Sequence, residues 1–130
     1  MTIRNTVLLA LAGLAWLQSP ASVQAQAPDL LNERPCGPDS MTGPLRYLIP
    51  QGAAGADFRP SCRCHDKCYE DPNRTRAECD LKWRDDMFSA CEGSRCRFKC
   101  RLVARFMYLG VKWFGEDAYA AAAAKRQTGQ

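Results

Sequence analysis

The only histidine of the chain, His65, lies in the run Ser61-Cys62-Arg63-Cys64-His65-Asp66-Lys67-Cys68-Tyr69-Glu70-Asp71. Imidazole is the side chain that takes up and releases a proton near neutral pH without help. As a general base it needs one ring nitrogen anchored by an acceptor and the other left open. On a helix over 60–71, His65 and Tyr69 stand four apart and share a face, as do Cys64 and Cys68. Asp66 points about a hundred degrees further round. On a second helix Asp80, Trp83 and Met87 form one stripe at helical spacing.

The elements that must position these groups follow from local signals. Pro60 suits a first helical turn, and Asp71-Pro72-Asn73 is a strong stop. Thr75 with Glu78 three residues on has capping-box spacing, so the second helix starts there and runs to about Cys91. Glu92-Gly93-Ser94 ends it. A third helix over about 95–113 carries Phe98, Leu102, Val103, Phe106, Leu109 and Val111. Gly115 breaks it before a short last helix in the alanine-rich end. Trp83, Met87, Phe88, Phe98, Phe106 and Tyr108 are expected in the core, and Trp113 and Phe114, beside Lys112, are either core, the preferred assignment, or interfacial anchors. No strand alternation is evident. The expected fold is all-α: a small disulfide-stapled helical domain with an antiparallel helix pair behind a long irregular segment rich in proline and glycine.

The short link between the first two helices makes them antiparallel. A Cys68–Cys79 bridge would set Asp80 opposite position 67, between His65 and Tyr69. Its carboxylate could then accept from both the imidazole and the phenol. A Cys36–Cys62 bridge would hold the loop Pro35-Cys36-Gly37-Pro38-Asp39-Ser40 against the first helix. Loop carbonyls beside the Asp66 carboxylate suit a hard cation such as calcium. Such an ion beside an ester carbonyl, with His65 deprotonating a water, would make a hydrolytic site. Cys64, Cys91, Cys96 and Cys100 would then pair among themselves in an order the sequence leaves open.

Two other chemistries compete for the same residues. Cys62, Cys64, His65 and Cys68 could bind zinc, but the ligand spacing is cramped. A serine triad would need His65 as well, and Ser61, Ser89 and Ser94 lack a nucleophile elbow. Asp85-Asp86 reads as a solvated pair.

The ends bound the setting. Residues 1–25 have Arg4, an apolar run from Val7 to Leu17 and a small-residue cleavage pattern at Val23-Gln24-Ala25. They read as an export signal, leaving 26–130 as one domain. All eight cysteines follow it, and an even count in a small exported chain implies disulfides. A secreted or periplasmic location is expected. The net charge of +4 is too small to imply nucleic acid, and no stacking motif accompanies the basic run Arg95, Arg97, Lys99, Arg101, Arg105. That run is either a solvated face or a surface attracted to anionic phospholipid.

Cys62-Arg63-Cys64-His65-Asp66-Lys67-Cys68-Tyr69, with Cys79-Asp80 and Cys36-Gly37, resembles the secreted phospholipases A2, closest to their short bacterial and fungal-type members. The resemblance covers 35–91 well and 95–120 loosely. It implies calcium-dependent hydrolysis of the sn-2 ester of glycerophospholipids at a membrane surface. His65 would be the base, Asp80 its orienting partner and Tyr69 the support of Asp80. Asp66 and the carbonyls of Pro35, Gly37 and Asp39 would hold calcium. A monomer is expected. The chain departs from the pattern at Asp39, which replaces the loop's second glycine, in a longer Cys36–Cys62 segment, in Ser61 and in the extra Cys64. A rival reading is a non-catalytic phospholipid- or protein-binding module, a toxin-like effector, on the same scaffold. A third is a cysteine-rich structural protein without metal.

Overall fold

The computed structural model describes residues 33–129; the expected export signal lies outside the described residues. A 3-10 turn, Pro44–Leu48, leads into a hairpin of two-residue strands, β1 Gly52–Ala53 and β2 Ala56–Asp57. Four helices follow: α1 Arg59–Glu70, α2 Arg76–Cys91, α3 Arg97–Phe114 and α4 Glu116–Thr128. The domain is helical and disulfide-stapled, with a long irregular segment ahead of an antiparallel helix pair. The hairpin is a feature the sequence pattern did not show, because strands of two residues are too short to alternate.

Local chemistry accounts for the helix ends. The Thr75 side chain accepts from Glu78 N while the Glu78 carboxylate accepts from Thr75 N, closing the capping box of α2. α1 starts at Phe58 with no side-chain cap, but Phe58 is fully buried and so fixes the entry of the chain. α4 is held over the α1–α2 turn by Tyr119 Oη donating to Arg74 O (2.8 Å) and Arg126 Nη1 donating to Asp71 O (2.9 Å).

The core is small and rich in sulfur: Cys36, Phe58, Cys62, Trp83, Met87, Cys91, Cys100 and Ala104. Chains of this size bury little apolar area, and covalent links offset part of the deficit. Cys36 pairs with Cys62 and Cys68 with Cys79, as expected. Cys91 pairs with Cys100, and Cys64 and Cys96 remain free thiols. Of the four cysteines expected to pair among themselves, Cys91 and Cys100 do so, and the expectation is corrected for Cys64 and Cys96. Cys64 lies a hundred degrees round α1 from His65 and reaches solvent, while Cys96 is the residue just before α3.

The α3 core assignment needs a second correction. Trp83 and Met87 are buried and Phe88 packs against them. Phe98 and Phe106, however, are 76% and 65% exposed, and Trp113 and Phe114 are 68% and 80% exposed. Tyr108 is only half-buried. The cause is rotational. The Cys91–Cys100 bridge and the buried Ala104 turn one side of α3 toward α2, and Phe98 and Phe106 lie on the other side at helical pitch.

Candidate functional site

The Cys68–Cys79 disulfide pins the antiparallel α1–α2 pair next to the residues of interest. Asp80, one position on from Cys79, points into the pair and is almost wholly buried, as is His65. His65 Nε2 lies 2.9 Å from Asp80 Oδ1. Tyr69 Oη donates to the same oxygen at 2.5 Å. A buried carboxylate with two donors is strongly held. Because Asp80 only accepts, Nε2 carries the hydrogen and Nδ1 presents the lone pair. Among the described residues Nδ1 has no hydrogen-bond partner. Burial, followed by the Asp80 hydrogen bond, holds the Tyr69 phenol well above its ordinary value, so it stays a donor.

Aromatic rings enclose the imidazole. Trp83 stacks on His65 at 4.8 Å between centroids, and Tyr69 tilts against it at 4.2 Å. Tyr119 of α4 packs edge-on to Tyr69 at 5.1 Å. Three positions expected to act together, His65, Asp80 and Tyr69, are thus brought into contact. Trp83, a core residue, joins them by stacking on His65.

Arg76 was not anticipated. Its Nε lies 3.6 Å from Asp80 Oδ2, and Nη2 donates to Val111 O (3.1 Å) and Lys112 O (2.6 Å), while Nη1 pairs with Glu116. One guanidinium thus ties the acid at the site to the end of α3 and the start of α4. The signal was present in the spacing, since Arg76 stands four residues before Asp80 on one helix. Gly115 had no such signal. A Cβ there would meet Val111 O at 2.5 Å and Tyr69 Oη at 3.2 Å, so the α3–α4 junction closes over the phenol only because the residue is glycine.

Beside this core lies the candidate metal loop. Gly37 has φ +115°, and a Cβ there would meet the Ile49 side chain at 2.6 Å. The loop is clamped from outside. Gln51 accepts from Cys36 N (3.1 Å) and donates to Cys36 O (3.0 Å). Arg34 Nη2 donates to Ile49 O (2.9 Å) and Arg46 Nη2 to Arg34 O (2.8 Å). Pro38 O accepts from Met41 N at 3.0 Å. By contrast, the carbonyls of Pro35, Gly37 and Asp39 accept no hydrogen bond from any described residue.

Asp66 is an exposed residue, yet the packing around its carboxyl removes enough water to push its pKa up to about 6. The Asp39 carboxylate adds to that rise, and His65 and Lys125 oppose it. Lys125 Nζ, from α4, lies 3.6 Å from Asp39 Oδ2. The Asp39 and Asp66 carboxylates disfavour each other's charge, and carboxylate and carbonyl oxygens are the donor types a hard divalent cation takes. Among the described residues no three His, Cys, Asp or Glu side chains converge as a metal cluster, so such an ion would draw on main-chain oxygens. The zinc alternative loses its donors, because Cys62 and Cys68 are in disulfides. Asp85 and Asp86 pair with Arg84 and Lys82 respectively and take no part.

Compared with known proteins, the chain matches no family model, no curated protein and no solved structure.

Proposed function

We propose that the chain is a secreted, calcium-dependent phospholipase A2 that hydrolyses the sn-2 ester of glycerophospholipids. The observation that carries this reading is the buried contact of His65 Nε2 with Asp80 Oδ1 at 2.9 Å, with Tyr69 on the same oxygen. That arrangement leaves Nδ1 as a base of fixed orientation. The resemblance of the His65-Asp66 helix and Cys79-Asp80 to the phospholipases A2 supplies the substrate class. The three disulfides fit an oxidising compartment.

In the proposed reaction a water hydrogen-bonded to His65 Nδ1 attacks the ester carbonyl. The water's proton passes to Nδ1 as the new carbon–oxygen bond forms. Asp80 stabilises the resulting imidazolium from the Nε2 side, and Tyr69 and Arg76 keep that carboxylate in place. The proton then moves from Nδ1 to the leaving glycerol oxygen as the ester bond breaks. The products are a fatty acid and a lysophospholipid. Asp66, Asp39 and the carbonyls of Pro35 and Gly37 would hold calcium, whose positive charge beside the ester carbonyl favours the charge that develops there.

One observation favours a second reading. Asp39 is already paired with Lys125, and a loop neutralised internally would suit a phospholipid- or protein-binding module that does not turn over. Fatty-acid release from mixed phospholipid vesicles decides between them. Release that needs calcium, stops with chelator and is lost in His65→Ala and Asp66→Ala supports the enzyme. Folded, oxidised protein that releases nothing from any lipid leaves the binding module, and release indifferent to chelator or to His65→Ala rejects the mechanism.

A further inference from the structure

The reaction proposed above makes no use of the outward side of α3, whose composition is one-sided. Arg97–Phe114 contains Arg97, Lys99, Arg101, Arg105 and Lys112 and no carboxylate. At a hundred degrees per residue, Cys100, Ala104, Met107 and Val111 fall together and face the core. Phe98, Leu102, Phe106, Leu109 and Trp113 fall in an arc of roughly 80° on the opposite side. Phe98, Leu102, Phe106 and Trp113 are all exposed. Arg101, Arg105 and Lys112 border one edge of this stripe, and Lys99 the other. Among the described residues no carboxylate pairs with Lys99, Arg105 or Lys112, whereas Arg97 and Arg101 share Glu92.

We infer that this face of α3 lies on an anionic phospholipid bilayer, its aromatic stripe at the headgroup–acyl boundary and its flanking cations on the lipid phosphates. An exposed aromatic stripe between cations is the pattern of helices that lie in a membrane interface. The rest of the protein supports a flat contact. The inward side of α3 is locked by the Cys91–Cys100 bridge and buried Ala104, so no groove can wrap the helix. A second copy docked on the same face would set cation rows of equal sign against each other. This inference deepens the lipid reading by naming the contact surface and the headgroup charge, but binding requires no hydrolysis and is measured apart from it.

The test is sedimentation of the full chain with sucrose-loaded vesicles in the presence of chelator, so that lipid is not consumed. One set is phosphatidylcholine alone, and the other contains phosphatidylglycerol as well. The chain is expected to sediment with the anionic set and far less with the neutral one, and added salt is expected to release it. Phe98→Ser with Phe106→Ser is expected to weaken partitioning about tenfold or more, since the lost rings no longer leave water. Arg105→Glu with Lys112→Glu is expected to do the same and to abolish the preference for anionic lipid. These side chains are exposed, so circular dichroism and thiol count should match the unaltered chain. Failure to sediment with anionic vesicles overturns the inference. Sedimentation that survives both pairs of substitutions does so too, because the apolar run at Val7 to Leu17 would then account for it. Self-association in the absence of lipid, lost in the same variants, would show a protein–protein face instead. Binding without fatty-acid release would reject the hydrolase and keep this surface, and release without α3-dependent binding would do the reverse.

Discussion

His65 and Asp80 meet at 2.9 Å across two helices, although they are fifteen positions apart in the chain. The contact depends on charge as well as shape. Asp80→Asn keeps the volume but can present an amide N–H to the imidazole, which favours the wrong tautomer. Fatty-acid release in that variant is expected to fall at least about a hundredfold. Tyr69→Phe removes one of two donors and is expected to cost about tenfold or less in turnover and about 1 kcal/mol in stability. Initial rates and denaturant midpoints of the two variants check this. Equal rates for Asp80→Asn and the unaltered chain would remove Asp80 from the mechanism.

Arg76 joins Asp80 to the carbonyls of Val111 and Lys112. Arg76→Ala leaves those acceptors and a buried carboxylate short of partners and is expected to cost about 1–3 kcal/mol. For a domain of about a hundred residues that lowers the melting temperature by several degrees for each kcal/mol. Arg76→Lys restores the charge but not the fork and is expected to recover only part. Thermal melts of both variants decide it, and an unchanged melt in Arg76→Ala would show that the α3–α4 junction stands without this link.

Gly115 is a matter of space. Gly115→Ala puts a methyl 2.5 Å from Val111 O and 3.2 Å from Tyr69 Oη. The junction must move away from the phenol, at a cost of about 1–3 kcal/mol. The expected signature is a lower denaturant midpoint together with weaker quenching of Trp83, whose ring lies on His65. A variant as stable as the parent would mean that the junction yields freely.

Asp66 makes stability depend on pH. Its carboxyl, ordinarily near 3.8, is pushed up to about 6 in the folded chain, first by loss of hydration and then by the Asp39 charge. A raised acid pKa means that the folded state holds the proton more tightly. The contribution is therefore full below about 3.8 and is lost as pH rises through about 6. Without calcium, the midpoint is expected to fall between pH of about 5 and about 7.5, and less so in Asp66→Asn. Protons compete with the metal over the same range, so calcium affinity by titration calorimetry is expected to weaken as pH falls toward 5. Lys125→Met is expected to strengthen calcium binding a few-fold, since it frees the solvent-screened Asp39. A calcium affinity blind to pH, to Asp66→Asn and to Lys125→Met would take the metal away from this loop.

Thiol chemistry checks the covalent frame. Unfolded, unreduced protein should show two reactive thiols, and folded protein should alkylate faster at the exposed Cys64 than at the half-buried Cys96. Mass mapping that finds Cys64 or Cys96 in a disulfide would contradict the pairing.

Much of the site was legible in the residues alone. His65 and Tyr69 stand one helical turn apart. Thr75 and Glu78 start the next helix, and the short link between the two helices makes the pair antiparallel. Those are local rules of pitch, capping and chain reach, so they hold before any tertiary contact forms. Together with an assumed Cys68–Cys79 bridge they placed Asp80 between His65 and Tyr69, and the side chains meet there. What lay beyond local rules was decided by packing. Which side of α3 faces inward depends on Cys100 reaching Cys91, and apolar periodicity alone put Phe98 and Phe106 in the core. Arg76 at the α3 carbonyls, Gly115 against Tyr69 and Lys125 on Asp39 each join positions far apart in sequence. Such contacts exist only when separate helices settle at one distance and rotation, and no single segment encodes that choice.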